Sequence, residues 1–515
     1  MDMRTGLFVD ASVPRREAVP VADGSESLEA GPFDPARFQE ASISIIGQLT
    51  EYLEDASLRG LRLTDPRDLV RAARELMTPD SGEIADLDEA RLGAIVDLYL
   101  RSGIQVYSPG YMGRQFSGVV PLSGTVDLVS AIVNQPSSYY EAGPLPSAVE
   151  RIMAEELNRF IGWDPERFAM VTTSGGSLAS LTALLAARND RYPDFWSDGV
   201  TALRGRPAPA VAAGEDAHYC IGRAVGMLGI GQRQMVRLPS NRHGQICPEG
   251  AEAALDAAAE RGLDVFCLVA SAGTTSLGAY DPLDELADIA EARNLWLHVD
   301  GAHGASLLVS DRLRHRLKGI ERVDSFAWDA HKLMFTPGVC TLLFYRDREK
   351  SHAAFVDPHH QASYVSEKEQ NVYTAFDSAG KNFECTKRPL IMNLWVLWAL
   401  YGRALFAEKI EYLCGLAEQA WQVLRGEDDF EAIHAPECNI LCFRHRPADP
   451  RAREIPDLQV AIRDRVTEEG RFFISKVEVE GDAALRVVFM NHRIGIEHFR
   501  QLLQEIRGIA RDLAA

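Results

Sequence analysis

The sequence predicts an α/β protein. Its large domain is built on a mostly parallel sheet, with a helical segment before it and a small α+β domain after it. Three observations carry this. Between residues 105 and 400 short apolar runs alternate with amphipathic stretches, which implies parallel βαβ units. From Asp34 to Ser102 the apolar spacing is helical throughout. From residue 401 a helix is followed by short strands and a closing helix.

Taken in order, residues 1–32 are rich in Pro, Gly, Ser and charge and are expected to form a mobile tail. Residues 33–104 place Ile43, Ile45, Ile46, Leu49 and Leu53, then Leu92, Ile95, Val96 and Leu98, at helical intervals, so two or three helices are expected. In 105–400 the candidate strands are Arg167–Thr173, Ala208–Ala213, Val265–Ala270, Leu295–Val299, Ser325–Trp328 and Cys340–Tyr345. Helices Pro248–Arg261 and Asp284–Arg293 separate some of them. In 401–515 the expectation is a helix over Ala404–Leu424, strands Asn439–Arg444 and Leu485–Met490, and a last helix from Gly495 to Leu513.

A net charge of −20 argues against a nucleic-acid partner, because phosphate binding needs basic surface. No apolar run is long enough to predict a membrane span, and the N-terminus lacks the basic-then-apolar order of a signal peptide. The eight cysteines form no CxxC pair, and several lie in apolar runs. They read as reduced core residues of a cytoplasmic protein. His359-His360 has no companion ligand at a sensible spacing, so no metal site is expected.

The chemistry is concentrated at strand ends. Trp296-Leu-His-Val-Asp300 is an apolar run that delivers a carboxylate, and Ser325-Phe-Ala-Trp-Asp-Ala-His-Lys332 delivers an amine just beyond a second run. In open α/β sheets that edge is where ligands bind. A lysine amine that can condense with an aldehyde, beside a carboxylate that can pair with a pyridinium, is what pyridoxal 5'-phosphate requires. Thr172-Thr-Ser-Gly175-Gly176-Ser177 ends a strand and opens a long helix, so it offers a phosphate cradle or simply a strand-to-helix connection. His218 stands at the start of another amphipathic helix, where it can stack on a flat ring or pack locally. Ala272-Gly-Thr274-Thr follows a buried strand and brings hydroxyls to the same edge.

This order of motifs resembles the group II PLP-dependent amino acid decarboxylases. Ala272-Gly-Thr-Thr275, Gly278-Ala-Tyr-Asp-Pro282, Leu295–His303, His315–Arg322 and Trp328-Asp-Ala-His-Lys332 carry the resemblance most densely. Tyr140–Pro144, Glu384–Arg388 and Arg486–Asn491 look closest to the glutamate and 2,4-diaminobutyrate branch. The resemblance implies PLP-dependent fold type I, a homodimer joined partly through the N-terminal helices, and a lyase that decarboxylates an L-amino acid. It makes Lys332 the Schiff-base lysine, Asp300 the pyridinium partner and His218 the stacking histidine. It puts Gly175, Gly176, Ser177 and His331 at the phosphate, with Thr274 also in the cofactor site and Ala302 on the ring's other face. Arg486 is implied to bind the substrate α-carboxylate.

A polar stretch from Asp357 to Asp377 corresponds to the family's lid. Tyr373 is the candidate proton donor to the product carbon, with Tyr364 and then His303 as alternatives. Where the family commonly has His-Pro-Arg, this chain has Ser108-Pro-Gly110, followed by Arg114, which could pair with an acidic substrate side chain. The implied function is decarboxylation of an acidic or diamino acid, or a derivative, to an amine and carbon dioxide. Two alternatives use the same scaffold: decarboxylating oxidative deamination, and decarboxylation of an aminoacyl group tethered to a carrier protein.

Overall fold

The computed structural model describes residues 31–78, 86–355 and 374–515. Residues 1–30 of the tail expected over 1–32, and both candidate lid tyrosines, Tyr364 and Tyr373, therefore lie outside the described residues, while Gly31–Phe33 form a 3-10 turn. The chain divides into two units, Met1–Ala56 with Thr64–Gly103, and Ser57–Leu63 with Ile104–Ala515.

The first unit holds helices α1 (Pro35–Glu54), α2 (Pro66–Glu75) and α3 (Glu89–Arg101). Each begins at an aspartate whose carboxylate accepts a backbone N–H left free by the first turn. Asp34 accepts from Ala36 at 2.8 Å, Asp65 from Arg67 at 2.8 Å and Asp88 from Arg91 at 2.9 Å. Helix α1 packs on α3.

The second unit contains α4 (Pro121–Val133), α5 (Pro144–Ile161), α6 (Gly176–Arg191), α7 (Tyr219–Met227), α8 (Pro248–Glu260) and α9 (Leu283–Arg293). Its large sheet has strands β1 (Ala169–Thr173), β2 (Ala208–Gly214), β3 (Met235–Leu238), β4 (Leu263–Ser271), β5 (Trp296–Asp300), β6 (Ser325–Asp329) and β7 (Thr341–Tyr345). The strand order is β1-β7-β6-β5-β4-β2-β3. The run from β6 to β3 is parallel, and β7 lies antiparallel to both β6 and β1. Helices α6 and α7 cover one face, and α5, α8, α9 and the later α10 (Ile391–Arg425) pack in the core on the other. Cover on both faces is why the strands are continuously apolar rather than alternating. Helix α10 is kinked into two helices at Gly402, whose φ of 64° a side chain would resist; the second, ending at Arg425, is the helix expected over Ala404–Leu424, and the first was not expected.

The second sheet is antiparallel, in the order β8-β9-β11-β10, from β8 (Phe430–Ala432), β9 (Ile440–His445), β10 (Ser475–Val479) and β11 (Asp482–Val488). Helices α11 (Leu458–Glu469) and α12 (Ile496–Ala514) accompany it. Phe499 of α12 meets Phe443 of β9 edge-on at 5.8 Å, which ties helix to sheet. All eight cysteines are free thiols. Six are buried, but Cys385 is exposed and Cys247 partly so, because both lie outside strands and helices; these two depart from the expected core placement. Among the described residues no helix is long and apolar enough to cross a membrane.

Candidate active site

The parallel register brings the chemistry to one edge. Ser271 of β4 pairs with Asp300 of β5, and Asp300 with Ala327 of β6, so three strands end side by side. Thr173 at the end of β1 lies opposite Thr341, which in turn lies opposite Asp329. The turn after β1 therefore opens onto the same edge. A cleft of about 640 Å³ forms there. Among the residues that line it are Gly175, Gly176, Ser177, His218, Thr274, Asp300, Ala302, His331, Lys332 and Arg114, all of them singled out from the sequence. Arg486 is not on its surface.

Lys332 Nζ lies 3.1 Å from Asp329 Oδ2, and His331 Nε2 lies 3.5 Å from the same oxygen. Asp329 is buried and also accepts a hydrogen bond from Thr341 Oγ1. The other nitrogen of His331, Nδ1, sits 2.9 Å from the Cys340 carbonyl oxygen, which fixes the ring. Sequence reasoning gave Asp329 no role. The available signal was its place at a strand end, three residues before the lysine.

Gly175 caps α6 with no side-chain bond and takes φ 109°. The first N–H groups of that helix are thus left for a ligand, at the positive end of its dipole. A Cβ on Gly176 would meet Asp329 Oδ1 at 3.1 Å and the Ala302 Cβ at 3.4 Å, so the turn presses against the floor of the cleft. Thr274 Oγ1 accepts the Ala279 N–H at 3.0 Å and holds its own loop in shape.

His218 is the N-cap of α7, with Nδ1 accepting weakly from Cys220 N at 3.4 Å. Burial lowers its pKa, while the nearby Asp300 charge works the other way. Asp300 makes no ion pair among the described residues, and its Oδ1 accepts the Ala302 N–H at 3.2 Å. Ligand atoms of His218, Cys220 and Asp300 lie within 4.8 Å of one another, a grouping the sequence reading did not anticipate. Burial pushes the Cys220 thiol up to about 12, so it would have to give up a tightly held proton to bind a metal.

His303 has a fixed hydrogen-bond partner. Its Nε2 lies 2.7 Å from Asn439 Oδ1, and Asn439 Nδ2 donates to the Phe489 carbonyl at 2.7 Å. Asn439 Oδ1 is therefore the acceptor and His303 Nε2 carries the hydrogen. Burial, then the Lys332 charge, push the imidazole down to about 3. A His303 whose one hydrogen is held by Asn439 and whose imidazole is hard to protonate is a poor candidate for the alternative acid. Arg486 Nε donates to the Ser276 carbonyl at 3.1 Å and Nη1 to Ser475 Oγ at 3.0 Å, while Nη2 is buried without a partner. Arg114 is close enough to Arg486 for its charge to oppose that of the buried guanidinium. Gln115, which the sequence reading passed over, lines the cleft with a buried Nε2 that has no partner.

These groups fit pyridoxal phosphate. The uncapped start of α6 suits a phosphate, the unpaired Asp300 carboxylate suits a ring nitrogen, and the Lys332 amine suits an aldehyde. The comparisons with known proteins agree. A cysteine sulfinic acid decarboxylase of Rattus norvegicus is 29% identical over 473 residues, covering 89% of this chain and 92% of the relative. The acidic amino acid decarboxylase GADL1 of Homo sapiens is 26% identical over 531 residues, covering 98% of each. The crystal structure of mouse CSAD superposes with a TM-score of 0.84 at 26% identity, covering 93% of this chain and 100% of that one. Oryza sativa TDC, solved with PLP and tryptamine, shares the fold with a TM-score of 0.83 at 22% identity, over 94% of this chain and 99% of that one. The pyridoxal-dependent decarboxylase conserved domain matches residues 75–446, well over half the chain, which therefore belongs to that family and is a PLP-dependent amino acid decarboxylase.

Proposed function

We propose that this enzyme decarboxylates an L-amino acid with an anionic side chain, of the cysteine sulfinate, aspartate or glutamate kind. The observation that carries this is a set of unpaired donors. Arg114 has no ion-pair partner among the described residues, and Gln115 Nε2 and Arg486 Nη2 are buried with no hydrogen-bond partner. Buried donors without partners are costly, and a substrate with two acidic groups would satisfy them. A diamino acid would instead place a cation beside Arg114. Relatives named for cysteine sulfinic acid and acidic amino acids support the same reading.

Pyridoxal phosphate, when bound, supplies the electron sink that lets the bond to the α-carboxylate break. The chain's own residues prepare that event. Lys332 offers the amine that anchors the cofactor, and Asp329 Oδ2 at 3.1 Å positions its Nζ. Asp300 would keep the ring nitrogen protonated, with His218 and Ala302 flanking the ring. Gly175, Gly176, Ser177 and His331 would hold the phosphate, and Thr274 would complete the cofactor site. Arg486, which lies behind the cleft surface, would have to turn its free Nη2 into the cleft to hold the α-carboxylate, and Arg114 with Gln115 would hold the side-chain acid. Tyr373 is our candidate for protonating the product carbon. We further assign a cytoplasmic homodimer. Free cysteines support the location, and a row of exposed Val129, Ile132 and Val133 on α4 supports self-association.

The test is a screen of PLP-loaded protein against cysteine sulfinate, aspartate, glutamate and 2,4-diaminobutyrate. Carbon dioxide and product are followed together by mass spectrometry. An acidic substrate giving stoichiometric amine is expected. Preference for diaminobutyrate would overturn the substrate reading, and ammonia with aldehyde would identify oxidative deamination instead. Turnover of a carrier-tethered aminoacyl group only would identify the carrier-dependent alternative.

A further inference from the structure

A second cavity, of about 60 Å³, is lined by Ser147 and Arg151 of α5, by Arg348, and by Ser378 and Lys381. Its unsatisfied groups can all donate. Ser147 is 3% exposed, and its hydroxyl has no partner. The Lys381 side chain makes no ion pair or hydrogen bond among the described residues, and burial followed by the Arg348 charge lowers its pKa. Arg348 uses Nε on the Phe168 carbonyl at 3.5 Å and leaves the rest of its guanidinium unused, while Arg151 pairs outward with Glu155 at 2.7 Å. The two carboxylates on the wall are already engaged. Glu150 takes Lys387 Nζ at 3.1 Å and Thr172 Oγ1 at 2.7 Å, and Asp377 Oδ1 accepts the Tyr140 N–H at 2.8 Å. The space is ample for a water-sized or slightly larger guest. Arg348 and Lys381, with a free hydroxyl between their elements, leave donors around it that call for a negative one.

The cavity is wired to the cofactor turn. Past Lys381, Asn382 Nδ2 donates to the Thr172 carbonyl at 3.2 Å, and Lys387 Nζ donates to the same oxygen at 3.2 Å. Glu384 accepts from both the backbone N–H and the hydroxyl of Ser174. Thr172 and Ser174 run straight into Gly175-Gly176-Ser177. The segment that carries Lys381 is thus the one that clamps the end of β1 beneath the phosphate turn.

We propose that this cavity binds a small inorganic anion of chloride size between Lys381, Arg348 and Ser147, and that its occupation strengthens retention of pyridoxal phosphate. The second clause rests on the cofactor placement given above, and the first does not. The test uses holoenzyme at constant ionic strength, with chloride exchanged for bulky gluconate, and crystals soaked in bromide. An anomalous bromide peak between Lys381 and Ser147 is expected. Chloride should raise the unfolding midpoint by ~2 °C and slow loss of the cofactor's visible absorbance on dilution about threefold. Both responses should vanish in Lys381→Met and in Ser147→Ala, the latter keeping every charge in case the former fails to fold. No bromide in the cavity, or an unchanged chloride response in Ser147→Ala, overturns the site. A bromide peak with cofactor loss insensitive to chloride overturns the coupling alone.

Discussion

Lys332 is only one-fifth exposed, and its counter-charge, Asp329, is buried. An ammonium in that setting depends on its partner more than a surface lysine does. Lys332→Ala should abolish carbon dioxide release and the visible absorbance that develops when pyridoxal phosphate is added; persistence of either would displace this lysine from the centre of the site. The substrate end is tested separately. A hydrogen bond to a charged group is worth about 1.5–3 kcal/mol, so losing one raises KM by roughly 10- to 100-fold. Arg114→Met and Gln115→Leu should each raise KM for the acidic substrate by at least the lower figure, with kcat changed less. An unaltered KM in Arg114→Met would mark it as an ordinary surface arginine, as its exposure would otherwise suggest.

At the scale of elements, the β1–turn–α6 unit has the least room for change. A methyl at Gly176 would approach a buried carboxylate oxygen at 3.1 Å, closer than such contacts normally come. Gly176→Ala should therefore weaken cofactor binding by about tenfold or more while leaving far-UV circular dichroism unchanged. Equal affinity in this variant would mean that the turn yields without cost. That unit was legible in the sequence because an apolar strand, a glycine pair and an apolar helix are all local patterns. The same holds for the runs now seen as β2, β4, β5 and β6, each within two residues of its expected ends. What escaped was of several kinds. Strands β3 and β10 are short and carry exposed residues such as Arg237 and Lys476, so they lack an apolar run. The antiparallel direction of β7 leaves no trace in a run that is buried on both faces. Pairings across the fold escaped too. Asn439 meets His303 from 136 positions away, and nothing local marks either residue for the other. Asp329 was within reach, three residues from the lysine, but a strand-end aspartate is common enough to pass unremarked.

The whole molecule carries a pH dependence built from its buried imidazoles. His298 and His303 are fully buried, and burial holds them down to about 4 and about 3. The unfolded chain has ordinary histidines that take up a proton near 6.5. Between those limits the unfolded state binds more protons than the folded one, so stability is complete above about pH 6.5 and falls as the pH drops toward 3. Each of the two should cost about 2 kcal/mol between pH 7 and 5, or about 4 °C together in the unfolding midpoint of cofactor-free protein. His352, His434, His445 and His492 act in the same direction through partial burial. Replacing both deep histidines, as His298→Asn with His303→Gln, removes two groups that titrate only on unfolding. The loss of midpoint between pH 7 and 5 should then shrink by about 4 °C, whatever the variant does to stability at pH 7 and whatever is added by Asp281, which burial raises to about 7 and which acts in the opposite direction. If the slope is the same in both proteins, those imidazoles take up protons in the folded state, and the neutral His303 on which the argument against its acid role depends would fall with it.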